Sequence, residues 1–224
     1  MNRHHSVPSQ SQSYPTRNER RKQARPGELL AAALALFVEK GFAATRVEEV
    51  AARAGISKGT LFLYFPSKQE LFKAVVGENI STHFKSWKHE VDACESSSAD
   101  LLSRSLYTWW ERVGAGPASG LSKLMVCEAR NFPELATFFR QEVVQPGQVE
   151  IRRVLQRGID QGEFRPMNLD DVVYSIFGAM QFLVLSRHAT GIYTVCADAL
   201  NPHDYITSYL DLLLHGLLAA RPAP

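Results

Sequence analysis

Hydrophobic residues recur at spacings of three and four along most of the chain, which predicts an all-α protein of about nine helices. No segment alternates with a period of two, so no strand is expected. Gly, Pro, Ser and Asn cluster between the periodic segments and indicate turns. The helices are predicted at about Glu28–Lys40, Thr45–Ala54, Lys58–Leu63, from Lys68 past Trp87 towards Cys94, at Asp100–Val113, Leu121–Arg130, from Pro133 to Ile159, and at Leu169–His188 and Pro202–Leu218.

The helix that starts at Pro133 contains an interruption. Pro146 and Gly147 stand inside its apolar pattern, which resumes at Val149 and stops at Gly162. A kink in one helix and a break between two helices are both compatible with this sequence.

The segment from Arg46 to Leu71 has the pattern of two short helices joined by a glycine turn. Thr45 and Glu48 have the spacing of a capping box, which predicts the start of the first helix. Gly55 is placed to end that helix, and Ser57 is a favourable N-cap for the next one. Two helices joined by a short turn that contains Gly are typical of a helix-turn-helix, whose second helix enters the major groove of DNA.

The second of these helices is short and has a polar N-terminus. It carries Ser57, Lys58, Gly59 and Thr60 in its first turn, where backbone amides and the helix dipole attract phosphate. Pro66 ends the helix, and a further capping box of Ser67 and Glu70 starts another. An ordinary three-helix packing unit is the alternative interpretation.

Residues 25–75 resemble the DNA-binding domain of the TetR family of bacterial transcriptional regulators. The resemblance covers about a quarter of the chain. The matching residues are Leu29-Leu30-Ala31-Ala32-Ala33, Phe37, Lys40-Gly41-Phe42, Thr45, Val50-Ala51, Ala54-Gly55-Ile56-Ser57-Lys58-Gly59-Thr60-Leu61-Phe62, Tyr64-Phe65, Ser67-Lys68 and Leu71.

The resemblance implies a role for each matching residue of the binding surface. It implies that Lys68 binds a phosphate and that Thr45 and Arg46 lie by the DNA backbone. The residues implied to face the groove are Lys58, Gly59, Thr60, Phe62 and Tyr64. Phe62 departs from the family, which usually has Tyr at this position. A phenyl ring cannot donate to phosphate but can contact a thymine methyl group, so the hydroxyl contact is assigned to Tyr64.

Charge is distributed unevenly along the chain. The net charge is +2, but residues 1–73 hold 12 Lys or Arg against 6 Asp or Glu, and residues 74–224 hold 13 against 17. The basic end is therefore the predicted DNA end. The predicted domains are a disordered basic tail at 1–24, a helix-turn-helix domain at 25–73 and a ligand-binding and dimerisation domain at 74–224. The basic run from Arg17 to Arg25 is either a solvated arm or an arm that enters the minor groove.

Other classes of protein find little support. No apolar run approaches the ~18 residues of a membrane span, and residues 1–16 lack the apolar centre of a signal peptide. The three cysteines, Cys94, Cys127 and Cys196, have no metal-ligand spacing, which predicts a reduced cytoplasmic location. No catalytic or phosphate-loop motif is present, so no enzyme, cofactor or metal site is expected.

The last two predicted helices are apolar over more than one face. Such helices are buried from several sides, and in a chain of this size one side is expected to contact a second subunit. A homodimer would present two recognition helices about 34 Å apart, or a multiple of this, to a pseudo-palindromic operator. The predicted interface residues are Ile176, Gly178, Ala179, Phe182, Tyr209, Leu210, Leu213 and Leu217.

Aromatic residues of the central helices are candidates for a ligand site, although most aromatic residues at helical spacing are ordinary core. Pockets between bundle helices commonly bind small molecules. The candidates are Trp87, Tyr107, Trp109, Trp110, Met125, Phe132, Phe138 and Phe177. The segment from Glu128 to Leu135 resembles the multidrug-efflux-type subset of the TetR family, and Glu128 and Arg130 could orient a polar ligand group or pair on the surface.

The sequence thus predicts a dimeric regulator, most simply a repressor that a small hydrophobic or amphipathic ligand releases from its operator. The alternative is a DNA-bound regulator or scaffold that a protein partner controls without a small-molecule effector.

Overall fold

The computed structural model describes residues 17–84, 87, 95–188 and 200–217, with the side chains from residue 26 onward. Within these ranges the chain folds into nine helices and no strand, which confirms the predicted all-α class. The first four are α1 (Arg17–Lys40), α2 (Val47–Arg53), α3 (Lys58–Tyr64) and α4 (Lys68–Val76, extended by a wide turn at Gly77–Ser81). The others are α5 (Ser98–Trp109, extended at Trp110–Gly114), α6 (Gly120–Glu128), α7 (Pro133–Phe139, Arg140–Val144 and Gln145–Asp160), α8 (Leu169–His188) and α9 (Pro202–Leu217).

Helix α1 begins eleven residues before the predicted start at Glu28. Residues 17–24, which were predicted to be part of a disordered tail, are its first two turns. The Arg, Lys, Gln and Glu residues of this segment are good helix formers, but Pro26 and Gly27 are unfavourable inside a helix, so local preference does not predict that the helix continues through them. Residues 1–16 of the predicted tail lie outside the described residues.

The structure also bears on two of the other helix predictions. Helix α7 runs through Pro146 without a break, and its irregularity is a π turn at Arg140–Val144, which ends two residues before the proline. Helix α4 continues in helical form to Phe84 and again at Trp87, whereas the predicted extension to Cys94 lies outside the described residues.

Two hydrophobic cores hold the helices together. The first joins α1 to α4 and also takes side chains from α6 and α7, including Leu121, Met125 and Leu135. The rings of Phe37, Phe42 and Phe72 lie 5.5–5.6 Å apart at its centre. The predicted boundary at residue 73 therefore does not separate two cores.

The second core is formed by α5, α7, α8 and α9. Helix α8 is long and apolar enough to cross a membrane by length and composition alone. Its residues Val173, Ile176, Met180 and Leu183 are nevertheless buried in this core, so packing between helices accounts for one side of its apolar surface.

Candidate functional site: DNA-binding surface and ligand cavity

Helix α3 is anchored on one side and open on the other. Leu61 is fully buried in the first core, whereas Phe62 and Tyr64 are 38% and 39% exposed and Leu63 is 86% exposed. The Ser57 hydroxyl accepts a hydrogen bond from the Thr60 amide at 3.0 Å and caps the helix, as the sequence predicted. The exposed face of α3 therefore presents one aliphatic and two aromatic side chains to any partner.

Leu63 was missed by the sequence interpretation. It lies two residues after the buried Leu61, so it points to the opposite side of a helix with 3.6 residues per turn. A large apolar side chain that is 86% exposed is unusual on a surface of this kind. The helical spacing was the signal that could have identified it.

Lys58 stands at the start of α3 and is 55% exposed. Its ammonium lies 2.5 Å from the Glu48 carboxylate and 5.8 Å from the centre of the Phe62 ring. The hydrogen bond from Lys58 lowers the pKa of Glu48 below its usual value. Because this ion pair is exposed, its contribution to stability is small and the ammonium can exchange it for a phosphate.

Thr45 has a structural role instead of the predicted DNA contact. Its side chain is 1% exposed, and its hydroxyl donates to the carbonyls of Leu36 and Gly41 at 3.1 and 2.7 Å. A side chain this buried cannot reach DNA. Arg46 is the actual N-cap residue of α2, and Glu49 accepts from its amide, so the predicted capping box of Thr45 and Glu48 was wrong.

Lys68 faces inward, towards the turn between α1 and α2. Its ammonium donates to the carbonyls of Phe42, Ala43 and Thr45 at 2.7, 3.2 and 2.9 Å. It also lies 4.5 Å from the centre of the Phe42 ring. Burial lowers the pKa of Lys68, and the Glu128 carboxylate opposes this shift. An ammonium group has three protons, and these three carbonyls already accept them. This arrangement differs from the phosphate contact that was predicted for Lys68.

Glu128 holds the same turn from the other side. Its carboxylate accepts hydrogen bonds from the amides of Phe42 and Ala43 at 2.7 and 3.0 Å. The turn at residues 41–45 is therefore hydrogen-bonded to the Glu128 carboxylate at the end of α6 and to the Lys68 ammonium at the start of α4. The sequence left open whether Glu128 orients a ligand or pairs on the surface. In the structure it does neither, and it connects the C-terminal helices to the DNA-binding helices.

A cavity of about 80 Å³ lies between α4, α5, α6, α7 and α8. This volume is smaller than the roughly 300–1,000 Å³ of drug-sized pockets, so a ligand of that size would have to widen the cavity. Nearly all of its lining is apolar. The lining residues are Phe84, Trp87, Leu106, Trp109, Ser122, Phe139, Val143, Val144, Gly147, Ile151, Ile176, Phe177, Met180 and Gln181.

Three of the eight predicted pocket residues line this cavity, namely Trp87, Trp109 and Phe177. The other five have different surroundings. Trp110 is buried in the second core and Met125 in the first, and the Phe132 ring packs edge-on against Phe42. Tyr107 bonds Thr207 and stacks on His203. Phe138 lies beneath the ammonium of Lys73. Sequence spacing identifies apolar residues but not the gap that their packing leaves.

Helix α6 connects the cavity with the DNA-binding helices. Ser122, in its first turn, lines the cavity, and Glu128, its last residue, grips the turn before α2. Leu121, Leu124 and Met125 of the same helix are buried in the first core. A displacement of α6 at the cavity would therefore move the Glu128 carboxylate and the turn that leads into α2.

The predicted dimer face has both exposed and buried members. Gly178 is exposed, and Ala179, Phe182, Tyr209 and Leu213 are partly exposed. The prediction is wrong for Ile176, Leu210 and Leu217, which are 1–5% exposed and pack inside the protomer. On the same helices Tyr174 and Leu212 are 64% and 74% exposed. Ser175 and Tyr209 lie 3.4 Å apart, so α8 and α9 present one continuous surface.

Comparison with known proteins agrees with this architecture. Residues 29–75 match the family described as bacterial regulatory proteins, tetR family, and residues 98–199 match the tetracyclin repressor-like C-terminal domain. An uncharacterised HTH-type transcriptional regulator of Bacillus subtilis, YfiR, is 32% identical over 158 residues, which are 68% of this chain and 74% of that protein. The chain belongs to the TetR family. It is therefore a transcriptional regulator with a helix-turn-helix for DNA, and members of this family are not enzymes.

Other relatives and solved structures share the fold. The HTH-type transcriptional repressor KstR2 of Mycobacterium tuberculosis is 30% identical over 67% of this chain and 74% of its own. A structure of FadR from Bacillus subtilis in complex with stearoyl-CoA superposes with a TM-score of 0.66 at 17% identity, covering 85% of this chain and 98% of that one. At such identity the superposition supports the fold alone.

Proposed function

We propose that this TetR-family regulator is a homodimeric repressor that an apolar small molecule releases from a pseudo-palindromic operator. The observation that carries the proposal is the cavity, whose wall includes the helix that grips the DNA-binding unit through Glu128. The KstR2 relative is described as a repressor, and the FadR structure is a complex with stearoyl-CoA, which supports a repressor that responds to a small-molecule ligand. We expect the protein to act in the cytoplasm.

The proposed contacts with DNA use the exposed face of α3 and the first turn of α2. Lys58 binds a phosphate, and the backbone at Ser57, Gly59 and Thr60 approaches the duplex at the helix N-terminus. Phe62, Leu63 and Tyr64 extend from the same helix towards bases and sugar-phosphate. Arg46, which is exposed before α2, adds a second cationic contact.

The proposed release acts through the turn at residues 41–45. A ligand that fills the cavity displaces α6 at Ser122, which moves the Glu128 carboxylate relative to the Phe42 and Ala43 amides. Because this turn leads into α2, the two recognition helices of the dimer change their separation. The ligand must bind the released state more tightly, by a coupling of typically 1–3 kcal/mol.

The operator is tested by selecting binding sites from a pool of random duplexes with the full chain. We expect an inverted repeat bound by two protomers. A single asymmetric site bound by one protomer would contradict the dimeric mechanism.

The release step is tested by titrating the protein–operator complex with methyl decanoate as an apolar probe. We expect operator affinity to fall roughly 5- to 150-fold. The matched variant is Gly147→Ala, whose new Cβ would lie 2.9 Å from Phe177 Cζ and 3.2 Å from Phe84 Cε1 in the cavity wall. This variant should bind the operator with normal affinity and should lose less of that affinity when methyl decanoate is added. Unchanged operator affinity in both proteins would favour the alternative, in which a protein partner controls a DNA-bound scaffold.

A further inference from the structure

The cavity lining contains little polar chemistry. Of the described residues that line it, Ser122 and Gln181 have neutral polar side chains, and none has a formal charge. The indole nitrogen of Trp87 is already used, since it donates to the Ser105 hydroxyl at 3.1 Å. A buried charged group would find no counter-ion among these residues, and burying an unpaired charge is very costly.

Gln181 is the exception in this apolar wall. Its Nε2 atom is buried and has no hydrogen-bond partner within the described part of the chain. Buried polar groups are nearly always hydrogen-bonded, so an unsatisfied amide at a cavity wall indicates that a partner enters from the cavity. An amide nitrogen is a donor, and the partner it lacks is an acceptor.

We propose that the ligand is uncharged and mostly apolar, and that it has a carbonyl or ether oxygen which accepts a hydrogen bond from Gln181 Nε2. The proposal rests on the proposed function, because it concerns the same cavity. It names the chemical class of the effector: neutral esters, ketones or lactones with a hydrocarbon body, and not free carboxylates or cations.

A smaller neighbouring cavity supplies the competing possibility. It shares Phe84, Trp87 and Trp109 with the main cavity, and His83 and Arg112 also line it. A ligand with an anionic head could place its chain in the main cavity and its carboxylate beside the Arg112 guanidinium. Preference for a carboxylate over a neutral ester would therefore overturn the proposal.

The test compares three probes that have the same ten-carbon chain: methyl decanoate, decanoate and decane. Binding to the full chain without DNA is followed by tryptophan fluorescence, because two of the three tryptophans, Trp87 and Trp109, line the cavity. We expect methyl decanoate to bind about tenfold more tightly than decane, the effect of one net hydrogen bond. It should also bind more tightly than decanoate by at least about tenfold.

The variant that tests the donor is Gln181→Met, which keeps the length of the side chain and removes the amide. Its preference for ester over alkane should fall to about onefold, with decane bound at least as well as before. The matched control is Gln156→Met on the exposed face of α7, which should keep the full preference. Thermal unfolding of both variants shows that they fold, since removing an unsatisfied amide should not destabilise the protein.

The remaining outcomes test the assignment of a neutral ligand to Gln181 independently of the proposed release from the operator. Tighter binding of decanoate, an unchanged ester preference in Gln181→Met, or no binding of any probe would each overturn the assignment of a neutral ligand to Gln181. If the ester binds as expected but does not release operator DNA, the ligand chemistry stands and the release mechanism fails.

Discussion

The backbone amide of Phe42 donates a hydrogen bond to the carboxylate of Glu128 at 2.7 Å, although the two residues are 86 positions apart. Phe42 belongs to the turn that precedes the helix-turn-helix, and Glu128 ends the helix that borders the cavity. The chain thus has a direct polar connection between the two units that a regulator must couple.

Glu128→Gln should keep the fold and weaken this connection. The neutral amide oxygen accepts from one amide less strongly than a carboxylate accepts from two, a loss of about 1–2 kcal/mol. We expect the change in operator affinity on adding methyl decanoate to shrink, with ligand affinity in the absence of DNA preserved. Glu142→Gln on the exposed π turn of α7 is the control and should behave as the wild type. A full ligand response in Glu128→Gln would show that the coupling runs elsewhere.

Gly41→Ala should be the most damaging glycine substitution in the DNA-binding unit. Gly41 has φ +86°, and a Cβ there would lie 2.5 Å from Glu128 Oε1. Gly55 also has a positive φ of 66°, but a Cβ there meets nothing within 4 Å. Gly55→Ala therefore measures backbone strain alone, about 1–2 kcal/mol, and Gly41→Ala adds about 1–3 kcal/mol for the displaced carboxylate.

Urea unfolding of the two variants measures this difference. Gly27→Ala in α1 is the control, because Gly27 has open space around its Cβ position and gains helix propensity of up to about 1 kcal/mol. Equal destabilisation by Gly41→Ala and Gly55→Ala would mean that the contact with Glu128 contributes nothing.

Lys58→Met and Lys68→Met should act on different properties. Lys58 is exposed beside α3, so its loss should reduce the salt dependence of operator binding by about one phosphate contact. Lys68 binds three backbone carbonyls, so its loss should destabilise the fold by about 2 kcal/mol and leave the salt dependence unchanged. Operator titrations at several salt concentrations, together with thermal unfolding, separate the two. A reduced salt dependence in a folded Lys68→Met protein would restore the phosphate contact that the family resemblance implied.

Leu63→Ala should weaken binding to the operator without destabilising the protein. The side chain is 86% exposed, so the core loses nothing when it is shortened. An apolar contact with a thymine methyl group would disappear, and we expect a loss of about 1 kcal/mol that is confined to sites with thymine at the contacted position. Affinity measured for operators with single base changes tests this. An equal loss on every sequence would exclude a base contact.

Leu212→Asp should convert the proposed dimer to a monomer. Leu212 lies one and two turns beyond Tyr209 and Tyr205 on the same side of α9 and is 74% exposed. A carboxylate placed in an apolar interface loses its hydration without a partner. Analytical ultracentrifugation should show protomers, and affinity for the full operator should approach that for a half-site. The control is Leu210→Val, a change inside the protomer core that should leave the dimer intact. A dimer that survives Leu212→Asp would place the interface on another surface.

Local sequence was sufficient for the helices and the DNA-binding motif. The positions of Gly55, Ser57, Pro66 and Ser67 depend on backbone preferences and capping hydrogen bonds over a few residues, which do not require tertiary contacts. The same reasoning failed at the start of α1, because helix propagation beyond Glu28 depends on cooperative extension from a buried segment.

The sequence by itself determined that the chain is all-helical, that residues 46–71 form a helix-turn-helix and that the basic end is the DNA end. The tertiary structure decided which side chains are free to act. Thr45 and Lys68 have residue types suited to phosphate, but both are used by backbone carbonyls that other segments bring to them. Three features arise from packing between segments distant in sequence, which helical periodicity does not encode: the cavity, the Gln181 amide nitrogen that has no partner among the described residues, and the hydrogen bond from Phe42 to Glu128.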